Sequence, residues 1–382
     1  MKSRFLLFIS LLFTQLALGQ KFQDTIPFRN DLGLIIIPIS FNGVEKQFAF
    51  DTGAEYSVAY DWAKDELKRT NKIISVVSSS GLRSKMRFYK SGNISIGSRK
   101  ITGHRILNTA ENDIFSCHKV DGILGVDIIK ELNWKIDFKQ KILIMYPSNH
   151  IPNEVNSMHQ LDFVFTNNHP YMYLKRKKSR LRFLLDTGAG KSSNISQKDY
   201  NLTTIDSFPH IEVHSGSFDV NGVFTTTTPR VFQFPESTSK DVTLSPVIYY
   251  NNLKSSKIGN YLWGELSLFL SLKKNKLYVS SSHIKQDYDY HSCYVSYYNG
   301  AIRIISIVKG SDVWNLGARQ GDEIVLYNEK KFTDFCTLNK YQRQLIKLGE
   351  PITIQLKSGE TVTISKKNSF QENHSPTSNN RH

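Results

Sequence analysis

The stretch Phe48-Ala49-Phe50-Asp51-Thr52-Gly53-Ala54 returns later in the chain as Phe183-Leu184-Leu185-Asp186-Thr187-Gly188-Ala189. Each copy places an apolar triplet before an acid, a hydroxyl and a glycine, the pattern of a buried strand that delivers a carboxylate onto a tight turn. One Asp-Thr-Gly behind a strand is ordinary turn composition and carries little weight. The second copy carries weight because its surroundings repeat as well. Asp121-Gly122-Ile123-Leu124-Gly125 follows the first acid, and Asn260-Tyr261-Leu262-Trp263-Gly264, read as its counterpart, follows the second at a closely similar interval. An apolar segment and a lysine-opened strand come after each, Lys139-Gln140-Lys141-Ile142-Leu143-Ile144 and Lys273-Lys274-Asn275-Lys276-Leu277-Tyr278-Val279. The chain therefore carries an internal duplication, and the two acids form a candidate pair.

With 382 residues, 40% of them hydrophobic, the chain can build two or three domains that each bury a core. Lys2 and Arg4 precede the apolar run Phe5 to Phe13, and Ala17-Leu18-Gly19 offers small residues before Gln20. This predicts a cleaved signal peptide over 1–19 and a secreted, periplasmic or cell-envelope protein. The run is shorter than the roughly 20 residues that span a bilayer, so no transmembrane anchor is expected after cleavage. No cysteine follows the cut, which disfavours a lipid anchor. The formal charge is +15, two charges of which belong to the leader. Its one dense run, Lys175-Arg176-Lys177-Lys178 with Arg180 and Arg182, lies where a hairpin before the second acid would put it in solvent. No recognition helix, stacking-aromatic motif or zinc pattern accompanies it, so nucleic acid is not an expected partner. Cys117, Cys293 and Cys336 are odd in number and irregularly spaced. Counting leaves room for one bridge but favours buried or free thiols. The eleven histidines are scattered, and no metal or cofactor is expected.

In chain order, Leu32 to Ser40 and Gln47 to Phe50 read as a hairpin joined by Asn42-Gly43. Tyr60 to Thr70 has helical composition. Strands resume at Ile73 to Val77 and Met86 to Tyr89, with a loop at Gly81 placed to cap a cleft as a flap. A short helix is predicted over Val126 to Leu132, then a hairpin to Met145, and Pro147 to Gln160 reads as a linker. The second copy repeats the order, with Gly222 at its own candidate flap. Beyond Tyr288 the pattern changes to strand, short helix at Gly310-Ser311, strand, a helix over Tyr341 to Leu348, and a hairpin from Thr353 to Ile364. The tail is rich in Ser, Asn, His and Pro and reads as disordered. The predicted organisation is signal peptide 1–19, first lobe 20–150, second lobe 151–285, C-terminal domain 286–366 and tail 367–382.

The paired Asp-Thr-Gly-Ala motifs, with Ile123-Leu124-Gly125 and Leu262-Trp263-Gly264 downstream, resemble the aspartic peptidases of the retropepsin and pepsin type over roughly residues 30 to 280. The resemblance implies a mainly β fold of two retropepsin-like barrel lobes in one chain. It implies that Asp51 and Asp186 are catalytic, that Thr52 and Thr187 lock the turns together, that Gly53 and Gly188 let backbone approach the carboxylates, and that Gly125 and Gly264 brace them. Residues 290 to 365 resemble a PDZ domain through Val308-Lys309-Gly310-Ser311 and Leu316 to Ile324. Tyr297-Tyr298-Asn299-Gly300 departs from the apolar-glycine-apolar loop with which that family captures peptide C-termini.

Two carboxylates in hydrogen-bond contact hold one proton between them and titrate as a unit. The ionised member can deprotonate a water attacking a peptide carbonyl while the protonated member stabilises the oxyanion and protonates the leaving nitrogen. Ala54 and Ala189 offer no side-chain hydroxyl to the carboxylates, which predicts an optimum less acidic than a gastric enzyme's. The expected function is a secreted or envelope aspartic endopeptidase acting on protein or peptide substrates. Because one chain supplies both acids, a monomer suffices. The alternative is a non-catalytic envelope scaffold that holds peptides on its PDZ-like domain.

Overall fold

The computed structural model describes residues 23–368 except 32, 79, 80, 82, 112, 191, 192, 204–207, 219–223, 252 and 253. The leader over 1–19, Gly222 and residues 369–382 lie outside the described residues. The fold is mainly β, and no helix among the described residues is long and apolar enough to cross a membrane.

Asn42 and Gly43 both take positive φ, the twist that suits a two-residue hairpin. They join Leu34–Phe41 to Val44–Phe50 in antiparallel register. Val44–Phe50 ends in three buried residues, Phe48, Ala49 and Phe50, because it is a central strand. On its other edge Gly122–Leu124 runs parallel to it. The second copy repeats this arrangement. His169–Arg176 and Ser179–Leu185 form its hairpin, and Lys257–Ile258 runs parallel to Ser179–Leu185. The remaining pairings also recur: Arg105–Asn108 lies parallel to Val58–Ala59, as Val247–Tyr250 lies parallel to Ser193–Ile195. The duplication legible in the sequence is thus a duplication of strand topology.

A six-stranded sheet ties the copies together. Leu132–Asp137 of the first pairs antiparallel with Ser267–Ser271 of the second, Trp134 opposite Leu270 and Ile136 opposite Leu268. One hydrophobic core runs from Ile26 to Ile284 across both copies. Each copy's turn is therefore held in a single packed body, which matters for any chemistry shared between them.

Residues between Cys293 and Ile364 close a separate core around Ile304, Val313, Leu338 and Ile354. The helix here is Phe335–Leu348, which starts well ahead of the Tyr341 that the sequence pattern predicts. Asp334 caps it by accepting Thr337 N–H, and Gly349 ends it in the left-handed conformation. Asn299 and Gly300, both at positive φ, make a two-residue turn between Cys293–Tyr298 and Ala301–Val308. Lys366–Asn368 pairs with Asp289–His291, so ordered backbone extends to residue 368. This corrects the expectation of a disordered tail from 367. Backbone hydrogen bonding to an edge strand, which composition does not register, accounts for the difference.

Other boundaries shift too. The helix expected over Tyr60 to Thr70 is only Trp62–Glu66, because Lys68–Val77 is already strand and pairs with Arg83–Lys90. The linker expected from Pro147 to Gln160 carries a 3-10 turn, Asn153–Ser157, with Val155 buried. Cys117 and Cys336 form a disulfide across 219 residues, with Cα atoms 5.3 Å apart, where counting favoured unbridged thiols. Cys293 is the free, buried cysteine. Burial pushes its thiol up to about 12.

Candidate active site

Asp51 and Asp186 sit at equivalent places, each one residue past the end of a strand whose last residue is buried. Asp51 N–H donates to Leu124 O and Asp186 N–H to Ile258 O, both at 2.9 Å, so the parallel strand beside each turn fixes the acid's backbone. The turns face each other. A Cβ added to Gly188 would lie 2.3 Å from Asp51 Cγ, and one added to Gly53 would lie 2.5 Å from Asp186 Oδ1. No side chain fits at either glycine, because the opposite carboxyl fills the space.

Beneath the carboxyls the threonines cross. Thr52 N–H donates to Thr187 Oγ1 (2.9 Å) and Thr187 N–H donates to Thr52 Oγ1 (3.1 Å). Thr52 Oγ1 donates to Leu185 O (2.5 Å) and Thr187 Oγ1 to Phe50 O (2.8 Å), each in the opposite copy. Both threonines are fully buried. Four hydrogen bonds in a dry place lose their partners if the turns separate, so the pair is rigidly spaced.

The electrostatics are unequal. Burial, and then the negative charge of Asp186, push the Asp51 carboxyl up to about 7; a hydrogen bond from Gly53 N–H (2.7 Å) and the Lys257 ammonium pull the other way. A carboxyl there keeps its proton at a pH where an exposed aspartate is ionised. Asp186 Oδ1 accepts Ala189 N–H at 3.1 Å, and its Oδ2 lies 3.3 Å from Lys257 Nζ.

The brace differs from the sequence reading at one glycine. Gly125 starts the turn Val126–Ile129 with φ −90° and ψ 175°, and Gly259 starts Asn260–Trp263 with φ −92° and ψ 177°. The N–H groups of these two glycines donate to Ser57 Oγ (3.0 Å) and Ser193 Oγ (3.2 Å). Val126 N–H then bonds Ala54 O as Asn260 N–H bonds Ala189 O. Gly259 is therefore the counterpart of Gly125. Gly264 lies at the far end of that turn, at φ 52°, with open space where a Cβ would go, and does not brace the acid. Spacing held the signal: the interval from Asp186 to Gly259 matches that from Asp51 to Gly125 more closely than the interval to Gly264 does, but Lys257 interrupts the apolar-apolar-glycine pattern. Ser57 and Ser193 were missed because a lone serine is silent in sequence.

Gly81 is exposed at the tip of the Lys68–Val77/Arg83–Lys90 hairpin, with φ 84°. Ile74 and Val76 of that hairpin pack on the cluster of Val58, Phe88 and Ile123 that also touches Ala54 and Tyr56. The hairpin thus leans on the Asp51 turn. Its counterpart, His210–Phe218 with Phe224–Thr227, pairs along Val213 to Ser215 with Ala301–Val308 of the C-terminal unit.

Residues 37–128 match the family model of the aspartyl proteases. The matched segment contains Asp51, the hairpin that leans on its turn, Gly122–Leu124 and Gly125. The match supports a peptidase function. No curated protein matches the chain. Asp186 lies outside the matched residues and meets the matched segment through the geometry just described.

Proposed function

We propose that the chain is an aspartic endopeptidase in which Asp51 and Asp186 activate one water against a peptide bond. The observation that carries this reading is the reciprocal packing of each glycine on the other copy's carboxyl, with the threonines crossed beneath. Such a pair keeps a single proton over a wide pH range. The ionised carboxylate takes a proton from the water as its oxygen attacks the carbonyl carbon. The protonated carboxyl hydrogen-bonds the forming oxyanion. In collapse of the tetrahedral intermediate the protonated carboxyl gives its proton to the leaving nitrogen, the C–N bond breaks, and the proton taken from the water stays on the pair. The hairpin tipped by Gly81 would close over an extended substrate and exclude bulk water.

On this reading the two copies are the lobes of a bilobal enzyme that works as a monomer on protein or peptide substrates. The leader at 1–19 sends it to the envelope or medium. The C-terminal unit is a PDZ-like domain that acts as a clamp on the enzyme: its strand pairing with the second copy's hairpin and its disulfide to the first copy support this role, and the tight Asn299-Gly300 turn speaks against capture of a peptide C-terminus. The test is a peptide-library digestion from pH 3 to 8 with the parent, Asp51→Asn and Asp186→Asn. The parent cleaves, and each variant loses activity by about three orders of magnitude or more. A parent that digests nothing, or a variant that digests as well as the parent, overturns the reading.

A further inference from the structure

One difference between the two copies places a charge beside the carboxyls. In the first copy Ile123 lies opposite Ala49 in the parallel pair, one residue before Leu124, and packs under the hairpin with Val58, Met86 and Phe88. In the second copy the same register position, opposite Leu184 and one residue before Ile258, is Lys257. The backbone bond at each acid and the conformation of the glycine that follows are shared by the two copies, while the next residue changes from Val126 to Asn260, whose Nδ2 donates to Thr187 O. A lysine therefore stands where the first copy has an aliphatic residue. Its ammonium is directed at Asp186 Oδ2, at 3.3 Å, with the lysine side chain 21% exposed and the aspartate 13%. At this depth an ion pair is screened far less than on the surface.

We propose that Lys257 is a positioning residue that holds the negative charge of the pair on Asp186 and leaves the shared proton on Asp51. This rests on the peptidase reading for its consequence: Asp186 is the base that activates the water and Asp51 the acid that meets the oxyanion. An otherwise near-symmetric pair is given a direction by one cation. The high proton affinity of Asp51, driven first by its burial, agrees with that assignment. Among the described residues the other titratable group that bears on the pair is the buried Tyr60 phenol, on the Asp51 side. It stays neutral near pH 7 and supplies no competing charge, since burial raises its own ionisation further.

Removing the cation makes every ionisation of the pair harder. Lys257→Met keeps the length of the chain without its charge, and Lys257→Arg keeps the charge. In the kcat/KM profile against pH, Lys257→Met is expected to move both limbs upward by about one pH unit or more, and Lys257→Arg to return them. A role in packing alone would lower the rate without moving either limb.

A second measurement needs no activity. A native pair that keeps a proton lost by the unfolded chain makes stability fall as pH rises, until the native pair also ionises. In thermal unfolding against pH, Lys257→Met is expected to extend that fall to higher pH by the same interval, with Lys257→Arg matching the parent. If neither parent nor variants cleave, the peptidase reading fails while the unfolding profiles still decide the role of Lys257. Unmoved limbs and unmoved unfolding profiles in Lys257→Met overturn the proposal, whatever happens to the absolute rate.

Discussion

Gly188 shows how narrowly the site is specified at the level of single residues. A methyl group there would sit on the carbon of the Asp51 carboxyl, and the nearest atoms belong to a carboxyl whose turn is held from below, so nothing can give way cheaply. Gly188→Ala is expected to reduce kcat by about a hundredfold or more, because displacement of a reacting group by an ångström costs that much. A steady-state assay on a variant with near-parent unfolding would check it. Asp51 also bears on stability. Its folded proton affinity is raised, so the native state holds a proton that the unfolded chain releases above its ordinary value of 3.8. Between about pH 4 and 7 the parent should therefore lose stability as pH rises, with the contribution present at low pH. Asp51→Asn should flatten that slope, read as melting temperature against pH, and an unchanged slope would contradict the burial account.

At the scale of strands and turns, most of what builds the site is legible in the sequence. The apolar triplets before Asp51 and Asp186 announce central strands, and Asn42-Gly43 announces a hairpin. The repeat of these signals announces the duplication. What the sequence hides has physical causes. Leu262-Trp263-Gly264 imitates a brace because Leu262 and Trp263 are buried, but they are buried inside the helical turn that follows the brace. The true strand, Lys257–Ile258, is very short and carries a lysine whose partner, Asp186, lies far back along the chain. A hydrophobicity pattern reads a charged residue as exposed, and an ion pair with a distant acid leaves no local trace. The two hairpins near the site also differ in a way no local pattern shows. Among the described residues the Lys68–Val77 strand ends its sheet with one edge unpaired, whereas the corresponding His210–Phe218 is bonded to Ala301–Val308. The first is free to move and the second is tied down.

At the scale of the whole molecule, the C-terminal unit is attached to both copies. The C-terminal unit is bonded to the second copy's hairpin by strand pairing and by the packing of Val308 with Ile211 and Val213. It is bonded to the first copy by the Cys117–Cys336 disulfide, with Arg343 donating to Asp31 Oδ1 (3.0 Å) beside it. Such a bridge closes a very long loop, and its loss should cost about 2–4 kcal/mol. Paired Cys117→Ser and Cys336→Ser substitution is expected to lower the unfolding free energy in denaturant by that amount, and a neutral result would mean that strand pairing alone carries the attachment. The bridge was not legible because its cysteines lie in different units and meet only after the chain has folded. The proposed chemistry requires two distant acids to share one proton, and the pH dependence of kcat/KM on a cleavable peptide tests that sharing most directly. A bell-shaped profile is expected, with its maximum above pH 3 and an alkaline fall as pH rises through about 7, where Asp51 gives up its proton. A maximum well below pH 3, or a profile that Asp51→Asn leaves intact, would contradict it.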